Sequence, residues 1–318
     1  MPPKVSVNIC CRNGEKFIKD AIESVQKQTF KDLEIVVLND GSTDNTEAVI
    51  KKFDDPRIRY FYQENMGLGP ARNKAIELSR AGYIALLDCD DVWEPEKLEL
   101  QVKILDDNPD VGLVHSDGYL VTEDNRIMNR FFQIRRPGRG NVAEDTIKNY
   151  QIACSSVLMR KEVLDKSGYF GDEFRIVEEY DLFLRMALVT KFDYIDKTLV
   201  KIKVHPGNIS KDLEKYHKEV VMSLNSLSKK IDDDHLKICI YGELSKYHAE
   251  LALVYLFKRL PVQARSDIRR AIEYGGYRPW VLAMYLSSYL PGGLSYPASL
   301  ALRKGRSFFR KLRLLAYS

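Results

Sequence analysis

Tyr83-Ile84-Ala85-Leu86-Leu87-Asp88-Cys89-Asp90-Asp91 is the stretch that decides how this chain folds. The apolar run 84–87 is too short for a helix and lacks polar alternation, so it reads as a strand buried on both faces. It ends abruptly in Asp88, Asp90 and Asp91, three carboxylates within four residues. Like charges held that close are costly without a cation. Mg2+ or Mn2+ suits them, because these ions take one or two carboxylates together with the phosphates of a substrate. A plainer reading has Asp91 capping a helix that begins near Pro95, with the other two acids solvated.

Outward from this segment the same unit recurs. Residues 5–9 are a short, mostly apolar run followed by Arg12, Asn13 and Gly14, then a helical pattern with Phe17, Ile18, Ala21, Ile22 and Val25 on one face. Residues 33–38 make a second strand closed by Asn39, Asp40, Gly41 and Ser42, with a short helix through Ala48, Val49 and Phe53. A third strand at 58–62 and a helix at 69–78 lead back to the acidic segment. This alternation predicts an α/β fold, a doubly wound and mostly parallel sheet with helices on both faces. Ligands of such sheets bind at the carboxyl ends of the strands. Arg12 and Asn13, Asn39 and Asp40, and the acidic cluster all fall there. Further on, 111–121, 153–159 and 199–204 read as strands, 131–141 as a loop rich in Arg, Pro and Gly, and 180–189 as an amphipathic helix. After Ser210 the composition turns to helical segments rich in Lys, Leu and Tyr, which predicts two domains, 1–210 and 211–318.

At 318 residues, 45% hydrophobic and 30% charged, the chain has the make-up of an ordinary globular protein. Its net charge of +4 is spread too thinly to argue for nucleic acid. Five cysteines without a CxxC pair suit neither a zinc site nor a complete disulfide framework, and the N-terminus has no apolar stretch of signal-peptide length. Both features point to the cytoplasm. Cys10 and Cys11 read as small core fillers.

Six segments carry a family resemblance in order along the chain: 5–13; Leu38-Asn39-Asp40-Gly41-Ser42-Thr43-Asp44; Asn65-Met66-Gly67 leading to Ala71-Arg72-Asn73; Leu87-Asp88-Cys89-Asp90-Asp91; Glu178-Glu179-Tyr180-Asp181-Leu182-Phe183-Leu184-Arg185; and His205-Pro206-Gly207-Asn208-Ile209-Ser210. In them the first 210 or so residues resemble glycosyltransferase family 2, inverting enzymes of the GT-A fold. The resemblance implies a nucleotide-sugar donor such as a UDP-sugar, a saccharide or lipid-linked acceptor, and Mn2+ or Mg2+. By position it puts Asp40 on the nucleotide base with Arg12 and Asn13 nearby, Arg72 at the donor, Asp88 on the ribose or sugar, Asp91 second in the acidic pair, and Asp90 on the metal. His205 would be a further metal or phosphate contact. The catalytic base falls on Glu179, where the family carries Asp. Glu is one methylene longer, so the acceptor hydroxyl must be placed differently to stay within hydrogen-bond reach. That change opens an alternative, a non-catalytic nucleotide-sugar or glycan-binding protein on the same scaffold, with Glu178 and Glu179 serving only the helix dipole. A nucleotidyltransferase would need a longer Gly-rich loop than Arg12-Asn13-Gly14.

In the last hundred residues, Tyr247, Ala249, Ala252, Ala264, Ile268, Ala271 and Ile272 predict a helical hairpin with small residues at its contact. Residues 279–302 carry no charge, but Pro291, Gly292, Gly293 and Pro297 interrupt them, against a spanning helix. Arg303, Lys304, Arg306, Arg310, Lys311 and Arg313 follow, interleaved with Phe308, Phe309, Leu312, Leu314 and Leu315. This reads either as an amphipathic helix on an anionic membrane, at the inner face of the cell membrane, or as a helix docked on the catalytic domain. Homo-oligomerisation is compatible with either.

Overall fold

The computed structural model describes residues 2–132, 136–205, 212–275, 281, 282 and 288. It divides into two compact units, Met1–Val204 and His205–Ser318. The predicted basic segment from Arg303 onward and the Pro206-Gly207-Asn208-Ile209-Ser210 run lie outside the described residues.

The first unit is built on one nine-stranded sheet of β1 (Val5–Cys11), β2 (Leu33–Asp40), β3 (Ile58–Gln63), β4 (Tyr83–Asp88), β5 (Val92–Trp93), β6 (Val111–Thr122), β7 (Ile127–Arg130), β8 (Leu158–Arg160) and β9 (Lys191–Val204). The order is β3-β2-β1-β4-β8-β6-β9-β5, with β7 on β6. Strands β3, β2, β1 and β4 run parallel, as the alternation predicts. β8 is antiparallel to both β4 and β6, so β6 again points the same way as β4. The sheet is therefore mixed beyond β4, with β9 parallel to β6 and β5 and β7 antiparallel to their neighbours.

Register aligns the strand ends that matter. Cys10 lies beside Asp88, Cys11 beside Asn39, and Asp40 beside Gln63. Alternation then sorts the side chains. Ala85 and Leu87 face the core that holds Ile18, Ile22 and Val25 of α1 (Ile18–Gln26) and Leu98, Val102 and Leu105 of α4 (Lys97–Asp107). Ile84 and Leu86 face the opposite core, with Ile76 of α3 (Leu68–Leu78), Val163 and Leu164 of α6 (Lys161–Ser167) and Leu182, Phe183 and Met186 of α7 (Glu178–Ala187). Each such fully buried aliphatic side chain contributes roughly 1.5–3 kcal/mol. Two short helices, α2 (Thr46–Ile50) and α5 (Ala143–Lys148), complete this unit.

Residues 153–159 do not form one strand as their apolar character predicts. Cys154–Ser156 is a 3-10 turn and the strand begins at Leu158. The Ser156 hydroxyl donates to the Ala153 carbonyl at 2.7 Å, a local bond that competes with a ladder. Behind this turn, Lys97 is fully buried. Its Nζ donates to Gln101 Oε1 at 2.8 Å and lies 3.9 Å from the Trp93 ring centroid, and burial pushes its ammonium well below the usual lysine range.

The second unit contains α8 (Leu213–Ser228), α9 (Asp234–Phe257) and α10 (Pro261–Gly275). Asp212 and Asp233 cap the first two by accepting from the backbone N–H of Lys215 and Leu236. The expected hairpin is α9 with α10, and Ala249, Ala252, Ala264, Ile268 and Ala271 are all buried in its contact. Among the described residues no helix is long and apolar enough to cross a membrane.

Candidate active site

Three loops meet at the carboxyl ends of β1, β2 and β4. Asn13 has a positive φ of 56°. That turn lets its backbone N–H reach the Ser42 hydroxyl at 2.9 Å, while its side-chain oxygen accepts from the Thr43 N–H at 2.8 Å. Gly14 N–H donates to the Thr46 hydroxyl at 2.8 Å, so the first loop is stitched to the second. Arg12 beside it is exposed. Asp40 is buried and faces the other way. Its carboxylate accepts from Gln63 Nε2 at 2.7 Å and from the backbone N–H groups of Met66 and Gly67 at 2.9 and 3.0 Å, so it organises the turn into α3. Gly41 has to be glycine, since its φ is +70° and an added Cβ would stand 2.6 Å from the Asn65 nitrogen.

α3 is the bracket of the site. Arg72 is 3% exposed, and its guanidinium donates from Nη2 to Asp88 at 2.6 Å and from Nη1 to Glu178 at 2.7 Å and Glu179 at 3.3 Å. Next to it, Asn73 clamps Phe170 by donating to its carbonyl at 2.9 Å and accepting from its N–H at 3.0 Å. Phe170 in turn lies under the guanidinium, 5.4 Å from ring centroid to Arg72. Thus Arg72, expected at the donor, ties the end of β4 to the start of α7.

Glu178 and Glu179 open α7, where the helix dipole favours negative charge. Glu178 is buried and Glu179 is 28% exposed. Burial raises the Glu179 carboxyl to about 8 against the pull of Arg72, and the negative charges of Glu178 and Asp88 add to the rise.

The acids after β4 separate by burial. Asp88 is one-third exposed, with Oδ1 on Arg72 and its backbone N–H on the Ser155 hydroxyl at 3.0 Å. Asp90 is half-buried. Asp91 is turned into the protein at 4% exposure, where it accepts from the Ser155 hydroxyl and, at 3.0 Å, from the Lys203 N–H. Burial and the neighbouring Asp90 and Asp88 push its carboxyl well above the usual range. The donor set is hard oxygen, which fits Mg2+ or Mn2+. Among the described residues of this unit no three such ligand atoms already converge. His205 follows β9 directly and is half-buried.

The structure therefore brings Arg72, Asp88 and Glu179 together, sets Asn13 and Asp40 at the neighbouring strand ends, and withdraws Asp91 into the interior. Sequence reasoning missed Gln63, Ser155, Lys203 and Phe170. Asn73 was quoted only for its place beside Arg72, and nothing local marked Ser155.

The model of Glycosyl transferase family 2 matches residues 6–168. The chain belongs to this family. An uncharacterized glycosyltransferase of Methanocaldococcus jannaschii is 34% identical over 208 residues, 64% of this chain and 71% of that one. An uncharacterized glycosyltransferase of Rickettsia conorii is 29% identical over 237 residues, 73% of this chain but only 39% of the relative's length. Among solved structures, an S. aureus TarS fragment in complex with UDP-GlcNAc superposes with TM-score 0.68 at 19% identity, covering 89% of this chain and 84% of that one. A mannosyltransferase from Pyrobaculum calidifontis in complex with GDP-Man and Mn2+ gives TM-score 0.64 at 17% identity, with coverage of 99% and 85%. At these identities the likeness shows the fold, and this family 2 member has the GT-A fold with C-terminal helices.

Proposed function

We propose that the chain is an inverting glycosyltransferase that moves a sugar from a nucleotide-sugar donor, a UDP-sugar, to an acceptor hydroxyl, with Glu179 as general base. The observation that carries this reading is the single guanidinium of Arg72 shared by Asp88 at the end of β4 and Glu179 at the head of α7. It supports the reading because it sets a carboxylate able to take a proton within one side chain's width of the acidic strand end. The acceptor oxygen attacks the anomeric carbon as Glu179 takes its proton, the bond to the diphosphate oxygen breaks, and the configuration inverts. One carboxylate suffices, and no covalent intermediate is needed.

On the donor side, Arg12 and Asn13 stand exposed after β1, and Asp40, buried with three of a carboxylate's roughly four acceptor sites filled, would serve the base through the 63–67 turn it holds. Asp88 would meet the ribose or sugar, and Asp91 would hold the acidic turn in place. Asp90 would hold Mg2+ or Mn2+ against the donor's phosphates, where the ion would supply Lewis-acid neutralisation of the leaving group. The neighbour solved with UDP-GlcNAc favours a UDP-sugar, and the one solved with Mn2+ favours the ion. The acceptor is a saccharide or a lipid-linked saccharide, as in surface polysaccharide or glycolipid assembly. The basic and apolar segment 303–315 would hold the enzyme at the anionic inner face of the membrane.

The test is thermal stabilisation by UDP-, GDP- and dTDP-sugars with Mn2+, where a ligand at a hundredfold its Kd adds about 2.7 kcal/mol, followed by the anomeric configuration of the product. Retention of configuration, or no transfer from any donor, would overturn the reading.

A further inference from the structure

Arg72 invites assignment to the donor, since a planar guanidinium matches a diphosphate. Its surroundings argue otherwise. At 3% exposure it has almost no surface to offer a ligand that enters from solvent. Its N–H groups are aimed at three carboxylates at 2.6, 2.7 and 3.3 Å, and its flat face lies over Phe170. Those three acids sit on two separate pieces of chain, Asp88 after β4 and Glu178 and Glu179 on α7. Glu178 is itself buried, and its Oε2 has no hydrogen-bond partner among the described residues. Three carboxylates facing one another in a partly dehydrated site repel strongly, and Arg72 is the cation placed between them.

The chain around Arg72 is shaped to keep it there. Gly69 lies so close to the next segment that an added Cβ would come within 2.9 Å of the Gly171 carbonyl and 3.8 Å of Glu178 Cβ. Glycine thus lets α3 lie against the backbone leading into α7. Asn73 fixes the same backbone through both polar groups of Phe170. This close docking sets the distance from Arg72 to Glu179.

We propose that Arg72 is a positioning residue for the base: it fixes the Glu179 carboxylate toward the acceptor and does not bind the donor's diphosphate. This rests on the function proposed above. Its consequence is a split in kinetic constants. A donor ligand, once removed, raises the KM and Kd for the donor, whereas a residue that aims the base lowers kcat and leaves donor binding alone.

The experiment uses the full chain carrying Arg72→Lys, which keeps a cation but loses the fork that spans Asp88 and Glu179. Lysine keeps a cation for Asp88, the group placed at the donor's ribose or sugar, so donor Kd by thermal shift or calorimetry should stay within about twofold of the parent, while kcat falls about a hundredfold, the scale of a base misplaced by an ångström. In a Glu179→Gln background the same substitution should cost nothing further, because its effect passes through the missing carboxylate. Should Arg72→Lys not fold, Phe170→Leu removes the ring beneath the guanidinium, leaves every charge, and is read in the same way. A weakened donor Kd with unchanged kcat, or full additivity with Glu179→Gln, would overturn the proposal. A parent chain that transfers no sugar would instead overturn the reading of function, and donor affinity would still judge Arg72.

Discussion

The hydroxyl of Ser155 accepts the backbone N–H of Asp88 at 3.0 Å and donates its own proton to the carboxylate of Asp91. One small side chain from the turn before β8 thus fixes both ends of the acidic segment. Ser155→Ala should leave the buried Asp91 short of a donor and cost about 1–3 kcal/mol, measured as a lowered midpoint of urea unfolding. An unchanged midpoint would show that Lys203 alone satisfies Asp91.

Transfer should stop in chelator and return with Mn2+ or Mg2+. Asp90→Ala should abolish it, because the departing diphosphate then loses its counter-charge. Undiminished turnover in chelator would contradict the assignment.

Glu179→Gln should keep donor affinity and lower kcat by roughly a hundredfold or more, the usual scale of a lost general base. The base must be deprotonated to act, and its folded carboxyl is raised to about 8. The kcat/KM profile should therefore climb with pH through the neutral range and level off above it, falling about tenfold per pH unit on the acid side. A plateau reaching down to about pH 5, just above the ordinary glutamate range, would show that the carboxyl is not raised in the working enzyme.

Gly41→Ala should destabilise the chain by about 1–3 kcal/mol, since alanine is strained at positive φ and its Cβ would strike the Asn65 nitrogen. Nucleotide affinity should fall with it, because the displaced segment leads into the turn that Asp40 holds. Retained stability would mean that the 63–67 turn moves aside freely.

Binding of the full chain to anionic vesicles should weaken with added salt and vanish when the chain is cut after Leu302, each basic residue contributing about 1 kcal/mol near the surface. Donor affinity should survive the cut. Equal vesicle binding by both chains would refute a membrane role for the basic segment.

Much of this was legible because the first four strands announce themselves by short apolar runs ending in polar clusters, and period-two burial then fixes which residues reach each face. β9 was read only over 199–204, because Asp193, Asp196 and Lys197 interrupt its apolar pattern and a register shift lies between Ile195 and Thr198. The two-residue β5 is too short for any pattern. The acidic cluster showed the right residues but not their division of labour. Asp91 is withdrawn by a serine 64 positions away, a contact no local reading can contain. Arg72 was found for its chemistry, yet its partners lie 16, 106 and 107 residues off, so the direction of its guanidinium was invisible in the sequence.

Lys97 and Asp91 together have a consequence for how folding handles protons. The unfolded lysine carries a proton and the unfolded aspartate lacks one at neutral pH. Burial favours the uncharged form of each, lowering the Lys97 pKa toward giving its proton up and raising that of Asp91 toward taking one on. Wherever both changes are complete the two cancel: folding neither releases nor consumes acid on their account, and the pair adds no slope to stability against pH. The penalty of discharging both groups remains. Taken singly, Lys97 makes stability rise with pH up to the unfolded lysine range, and Asp91 makes it fall as pH climbs above the unfolded aspartate range.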